Sequence, residues 1–295
     1  MTRAGFIALL GFPNAGKSTL FNRLIGQRLS AITPKPQTTR FSIPGILTQG
    51  NVQYIFLDTP GWVSQPKNAW HRVLSQQSLS AAQKADVQLW VISLRQPLDV
   101  LPSEVSAFLL KAPALLGAFS HGDLLAPSQR SEKVARYKEG LSSFPFKGWI
   151  DASLDQPIEP LLEKVAELLP ESPFLYPEGE ITTHSTRFFV GELLRESLYL
   201  HLRDEVPYGT EVEIIQYKEG AERDYIAAVI HVERQAHKMI VIGKNGQMIK
   251  KIGTEARKKI EELIGKPVFL DLHVKVSEGW RRSMLRLHNL GYRTS

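Results

Sequence analysis

From residue 6 to residue 169 short apolar runs alternate with stretches of helical period. The runs at 6–10, 52–57, 87–93 and 115–119 are continuous or alternate with period two, which marks strands. Between and after them, 18–25, 74–84, 103–110, 132–141 and 157–169 read as helices, with Ser103 as an N-cap and Glu104 in the first turn behind it. Strands alternating with helices predict an α/β domain, a mostly parallel sheet covered on both faces. At 170–182 the apolar period stops and Pro170, Pro173, Pro177 and Gly179 punctuate the chain. Beyond it the pattern predicts a helix at 188–202, strands at 211–217, 225–232 and 238–242, a helix at 247–263 and a strand at 268–276. That is a smaller α+β domain. The chain thus divides into 1–170, a linker at 171–182, and 183–295 with a C-terminal tail.

The length of 295 residues suits two domains. No apolar stretch approaches the roughly 18–20 residues that span a bilayer, and residues 6–10 read as a first strand rather than a signal peptide. Absence of Cys excludes disulfides, thiolate metal sites and Cys nucleophiles, and suits a reducing compartment. A formal charge of +6 invites an anionic partner without naming one. The excess gathers in the second domain, where Lys244, Lys250, Lys251, Arg257, Lys258 and Lys259 face one acid, Glu255.

Candidate chemistry begins at Gly11-Phe12-Pro13-Asn14-Ala15-Gly16-Lys17-Ser18, followed by Thr19, between a predicted strand and a predicted helix. This is the G-x-x-x-x-G-K-[ST] phosphate loop: glycines let backbone N–H groups curl round a phosphate, Lys17 reaches the β and γ oxygens, and the Ser18 hydroxyl ligates Mg²⁺. Asp58-Thr59-Pro60-Gly61-Trp62 ends the strand at 52–57, which puts a carboxylate at the Mg²⁺ water shell and the Gly61 N–H near a γ-phosphate. Between them lies Pro36-Gln37-Thr38-Thr39-Arg40, in which Thr38 or Thr39 is a candidate Mg²⁺ ligand in a loop ordered by γ-phosphate. In the second domain, Ile242-Gly243-Lys244-Asn245-Gly246 through Ile249, Lys250 and Lys251 carries G-x-x-G ahead of a basic helix. That is the pattern of a KH loop clamping single-stranded RNA.

These motifs at this spacing resemble the Era-type GTPases, in which a P-loop GTPase domain precedes a C-terminal KH domain. The resemblance covers nearly the whole chain. It implies GTP and GDP as ligands, Mg²⁺ as cofactor, a low intrinsic hydrolysis rate, and a role in small-subunit assembly through the 3′ end of small-subunit rRNA. It further implies K⁺ held near Asn14, a monomer, and a cytoplasmic location with peripheral contact at the inner membrane. Two departures stand out. Where the family reads guanine with N-K-x-D, this chain has Ser120-His121-Gly122-Asp123; only Asp123 remains to pair with the base. Ser120 is too short to copy fully the Asn that would contact the base edge and brace the phosphate loop, and His121 is open to base stacking or to a plain turn role. Asp151-Ala152-Ser153 keeps only the Ala152 whose N–H would meet the guanine O6. Trp62 stands where related GTPases carry a water-orienting Gln, so no catalytic side chain is assigned. Two further readings stay open: an RNA-binding assembly factor with a degenerate nucleotide site, and a P-loop NTPase of relaxed base choice. Trp280 and Arg281, Arg282, Arg286 and Arg293 sit in the tail, with Trp280 expected to pack on the KH sheet, and Trp70 is read as an exposed contact residue.

Overall fold

The computed structural model describes residues 1–63, 66, 68–97 and 101–292; Arg293 lies outside them. The first domain runs β1 (Arg3–Leu10), α1 (Lys17–Ile25), β2 (Ile43–Gln49), β3 (Val52–Asp58), α2 (Ala69–Lys84), β4 (Val87–Ser93), α3 (Ser103–Leu109), β5 (Leu115–Ser120), α4 (Pro127–Gly140), β6 (Phe146–Asp151) and α5 (Glu159–Leu168). The second runs α6 (Thr186–His201), β7 (Thr210–Lys218), β8 (Asp224–Val232), α7 (Gln235–Ile242), α8 (Gln247–Ile264) and β9 (Val268–Val276), then a tail helix α9 (Met284–Asn289).

The six-stranded sheet has the order β2-β3-β1-β4-β5-β6, parallel except for the β2–β3 hairpin. β1 lies where the chain leaves first toward β3 and later toward β4. The crevice at the carboxyl ends of these strands is where such sheets take ligands, and the loop from Gly11 to Gly16 opens there. Apolar residues alternate to both faces: Ile7, Leu9, Phe56 and Leu89 pack on one side, Ala8, Leu10, Trp90 and Phe119 on the other.

Two strands, β2 and β6, have no counterpart in the apolar pattern. β2 carries Pro44 and Gly45, which a sheet tolerates at its edge. β6 is the opposite edge and is only partly buried, so its pattern is blurred. The strand expected at 238–242 is a helix, α7. Its buried residues are His237 and Val241, one helical turn apart, and a four-residue apolar run, Met239 to Ile242, is too short to reveal that period. The second domain is therefore α6-β7-β8-α7-α8-β9, with β8 and β9 parallel and β7 antiparallel to β8. The segment between the domains is strapped to the first sheet: the Ile46 N–H donates to the Ile181 carbonyl at 2.9 Å, and the Thr182 hydroxyl to that of Pro44 at 2.7 Å.

Gly117 makes the tightest glycine contact in the domain. A Cβ there would stand 2.1 Å from Trp149 Cε3. Trp149 is itself held between Phe119 and Phe146, at ring distances of 5.3 and 4.1 Å. The ring has no cheap way to yield, so Gly117→Ala is expected to destabilise the protein by about 1–3 kcal/mol, the range for overpacking. Urea unfolding measures this; an unchanged midpoint would contradict the packing described.

Candidate functional site

The phosphate loop runs from buried β1 into α1, with Gly16 in a left-handed conformation at the helix N-cap. Lys17 is buried, and its ammonium donates to the carbonyls of Gly11 at 3.1 Å and Phe12 at 2.9 Å. Burial lowers the Lys17 pKa to about 8, with Asp58 opposing the shift. The Ser18 hydroxyl donates to Asp58 Oδ2 at 2.7 Å and accepts from Thr39 Oγ1 at 2.8 Å. Thr39 is thus the threonine brought to Ser18, while Thr38 turns to Thr33 at 2.6 Å and the Lys35 carbonyl at 2.9 Å. The Ser30 hydroxyl also donates to Asp58 Oδ2, at 2.6 Å. No sequence motif announced it.

Asp58 is buried and its pKa is raised by that burial, against the Ser30 and Ser18 hydroxyls and Lys17. Its Oδ1 has no hydrogen-bond partner among the described residues. The Ser18 and Thr39 hydroxyls beside one desolvated carboxylate, all hard oxygen donors, fit Mg²⁺. Ser18 and Thr39 line a cavity of about 640 Å³ that also includes Thr19 and Gly61. Gly61 approaches so closely that a Cβ would lie 2.8 Å from the Pro13 backbone. Thr59, Pro60 and Trp62 support rather than reach the cavity. The Thr59 hydroxyl donates to the Leu9 carbonyl, Ser78 donates to the Pro60 carbonyl, and Trp62 is buried with its backbone N–H on the Gly11 carbonyl. Asn14 has φ of 59° and donates from Nδ2 to the Pro34 carbonyl at 3.3 Å.

The altered recognition loop is better braced than its sequence implies. The Ser120 Oγ lies 2.7 Å from the Ala15 carbonyl, so a serine does reach the phosphate loop. Gln96 adds a second brace, donating to the Pro13 carbonyl at 3.0 Å. His121 lines the cavity and contacts Ser93. Gly122 donates to Ser153 Oγ at 2.8 Å, and Asp123 Oδ1 accepts from Leu154 N at 3.4 Å, which joins this loop to 151–155. The Ala152 N–H is already donated to the Phe119 carbonyl at 2.8 Å. Its expected meeting with a guanine O6 therefore has no free donor in this structure, because the end of β6 continues its ladder with β5 through that group.

In the second domain, Gly243 and Gly246 have φ of 73° and 75°, and Asn245 has φ of 51°. A Cβ on Gly243 would lie 2.6 Å from Met248 Cβ, so the turn between α7 and α8 needs glycine. Lys244 and Asn245 are exposed at its tip, Ile242 and Ile249 are half-buried beside it, and Lys250 and Lys251 are exposed on α8. Met239 and Ile240 on α7 are 61% and 47% exposed next to this loop, an apolar surface hidden in sequence by the strand reading. Lys259 is not part of the free basic face: it pairs with Glu196 at 3.0 Å and Glu255 at 2.8 Å.

The two sites meet through Arg40, next to Thr39. Its side chain is 0% exposed and pairs with Glu211 of β7 at 2.6 Å, the Thr210 carbonyl at 2.6 Å and the Tyr199 hydroxyl at 2.8 Å. Its guanidinium carbon lies 4.8 Å from the Trp70 ring and 5.9 Å from that of Trp280. Trp70 is therefore buried, not exposed, and Trp280 packs against α2 and Tyr292 while donating to the Gly209 carbonyl. Arg28 pairs with Glu196 and Lys35 reaches the Tyr199 carbonyl, so each basic residue of 28–40 touches the second domain. Arg40 stands in the P-Q-T-T-R stretch, but nothing in one sequence marks its distant partners.

The fold and site define a P-loop GTPase domain joined to a KH domain. A family model described as 50S ribosome-binding GTPase matches residues 6–118, and a KH domain model matches 205–281. GTPase Era of Carboxydothermus hydrogenoformans is 38% identical, covering 98% of both chains. The chloroplastic GTPase ERA-like protein of rice is 35% identical over 98% of this chain and 69% of its own. Two solved structures are each 32% identical over 99% of both chains. One is a point variant of Aquifex aeolicus Era bound to GDP.AlF4-, at a TM-score of 0.91. The other is Era with MgGDPNP and nucleotides 1506–1542 of 16S ribosomal RNA, at 0.92. The chain belongs to the Era GTPase family.

Glu211 gives the domain contact a pH signature. Burial raises its pKa, but Arg195 and Arg40 outweigh this and hold it at about 2. The folded value lies below the ordinary 4.5, so its stabilisation is full above that pH and lost as pH falls toward about 2. The melting temperature of the protein is expected to fall through this window, and Glu211→Gln to flatten that part of the profile. Identical profiles would contradict a charged Glu211 in the contact.

Proposed function

We propose that this protein is a GTP-switched RNA-binding factor of small-subunit assembly that hydrolyses GTP slowly. The observation that carries the reading is Ser18, Thr39 and Asp58 drawn to one point, with Arg40, the next residue after Thr39, buried in the KH domain. The solved Era relative holds MgGDPNP and the 1506–1542 segment of 16S rRNA; the matching sites here take the same classes of ligand. Lys17 would neutralise β and γ oxygens, the loop N–H groups would cradle them, and Ser18, Thr39 and (through water) Asp58 would hold Mg²⁺, which would supply charge neutralisation at the phosphates. The buried Trp62 offers no base, so positioning and electrostatics supply the rate. Asn14 is the proposed K⁺ residue, as the family resemblance implies. The 3′ end of small-subunit rRNA is the proposed KH ligand, clamped by the loop at 243–246 and the basic face of Lys250 and Lys251. A monomer, a cytoplasmic location and peripheral membrane contact belong to the same proposal and rest on the family resemblance alone.

Calorimetric titration with Mg²⁺ is expected to show GTP and GDP binding at micromolar or tighter, with ATP far weaker. Asp123→Ala should cost at least tenfold in GTP, since a charged hydrogen bond contributes about 1.5–3 kcal/mol. Hydrolysis should be faster in K⁺ than in Na⁺. Equal ATP binding would favour the relaxed NTPase, and no nucleotide binding the degenerate RNA factor. Separately, Lys244→Ala with Lys250→Ala should weaken binding of the rRNA 3′ segment and reduce its salt slope by about 0.7 per lysine. An unchanged slope would move the RNA to another surface.

A further inference from the structure

Ser120 and His121 stand where the family has Asn and Lys. β4 ends at Ser93, whose hydroxyl lies 2.8 Å from His121 Nδ1. The Arg95 N–H donates to that same Ser93 oxygen at 3.3 Å. The Ser93 hydroxyl and His121 Nδ1 therefore share a hydrogen bond that holds the plane of the imidazole, with Ser120 Oγ 3.3 Å from the same nitrogen. Burial lowers the His121 pKa, which favours the neutral ring, with Asp123 opposing. His121 has φ of 60°, a left-handed backbone that histidine adopts only at a cost. Its ring lies against the phosphate loop, since a Cβ on Gly16 would stand 3.4 Å from His121 Cε1. The same ring and Ser93 line the 640 Å³ cavity that holds Lys17 and Ser18. Ser120 meanwhile takes the bracing role, through the Ala15 carbonyl. The pair of lost functions is thus divided between two residues.

We propose that His121, locked by Ser93, is the wall against which the purine of a bound nucleotide lies, replacing the lysine stem of the family. The inference rests on the nucleotide-binding reading above. A flat neutral ring gives face contact to any base, so His121 supplies affinity and Asp123 supplies selectivity. Ser93 is a positioning residue that fixes the ring's plane.

The test uses the full chain with Mg²⁺ and three probes: GDP, ADP and inorganic pyrophosphate, which has no base. His121→Ala is expected to weaken GDP roughly tenfold, the scale of one base–aromatic stack, while pyrophosphate affinity stays unchanged. His121→Lys, the family's residue, restores GDP binding to within a few-fold. Ser93→Ala weakens GDP less than His121→Ala and also spares pyrophosphate. Asp123→Ala, by contrast, narrows the preference for GDP over ADP, which His121→Ala leaves as it was. Wild-type GDP binding in His121→Ala overturns the proposal. So does an equal loss of GDP and pyrophosphate, which would make His121 a support of the phosphate loop. If the unaltered protein binds pyrophosphate but no nucleotide, the nucleotide reading itself fails.

Discussion

The guanidinium of Arg40 lies, wholly enclosed, between a threonine loop that reaches the phosphate site and a strand of the RNA-binding domain. Three of its contacts are carried by the second domain: Glu211, the Thr210 carbonyl and the Tyr199 hydroxyl. A buried cation without such partners would be prohibitive, and removing one partner of a buried pair costs roughly 3–5 kcal/mol. Arg40 therefore cannot leave its socket cheaply, and Thr39, one peptide away, cannot move from Ser18 without pulling on it. The aromatic cluster of Trp70, Trp280 and Tyr292 surrounds the same guanidinium and ties in α2 and the C-terminal tail. The threonine loop, α2 and the C-terminal tail thus close on one small volume.

The phosphate site complements this constraint electrostatically. Lys17 and Asp58 are both buried, and burial shifts each toward its neutral form. Phosphate oxygens and a divalent cation are the groups that reverse those shifts. A ligand that supplied them would balance the buried charge beside Thr39, which stands 2.8 Å from Ser18. Coupling between the sites needs no long relay. It needs only that Thr39 and Arg40 cannot both hold their partners in every arrangement of the two domains.

Much of this was legible in the sequence, because the chemistry-bearing motifs are local. The phosphate loop, Asp58 and the 243–246 turn depend on glycines and polar groups within a few residues, so their spacing announces them. The strands β2 and β6 were not legible, since edge strands need neither a long apolar run nor freedom from proline. α7 is hidden in the sequence because four consecutive apolar residues, Met239 to Ile242, carry no period. The socket of Arg40 was invisible for a different reason: its partners Tyr199 and Glu211 lie 159 and 171 residues away in sequence, and Trp280 lies farther still. Trp70 looked exposed only because its partner lies in the tail. The short side chain of Ser120 gives no sign of a brace in the sequence, yet the backbone brings the Ala15 carbonyl within its reach.

The central claim is that nucleotide state and RNA affinity are linked through Arg40, and the direct measurement is that linkage. RNA affinity for the 3′ segment of small-subunit rRNA would be measured with GDP and with a non-hydrolysable GTP analogue, in the unaltered protein and in Arg40→Met. This substitution leaves the Arg195–Glu211 pair, 3.0 Å apart, to balance itself. The account predicts a ratio between the two nucleotides of about fivefold or more in the unaltered protein, falling to near one in Arg40→Met while each ligand still binds alone. A ratio that survives Arg40→Met unchanged would contradict it and place the coupling elsewhere in the domain contact.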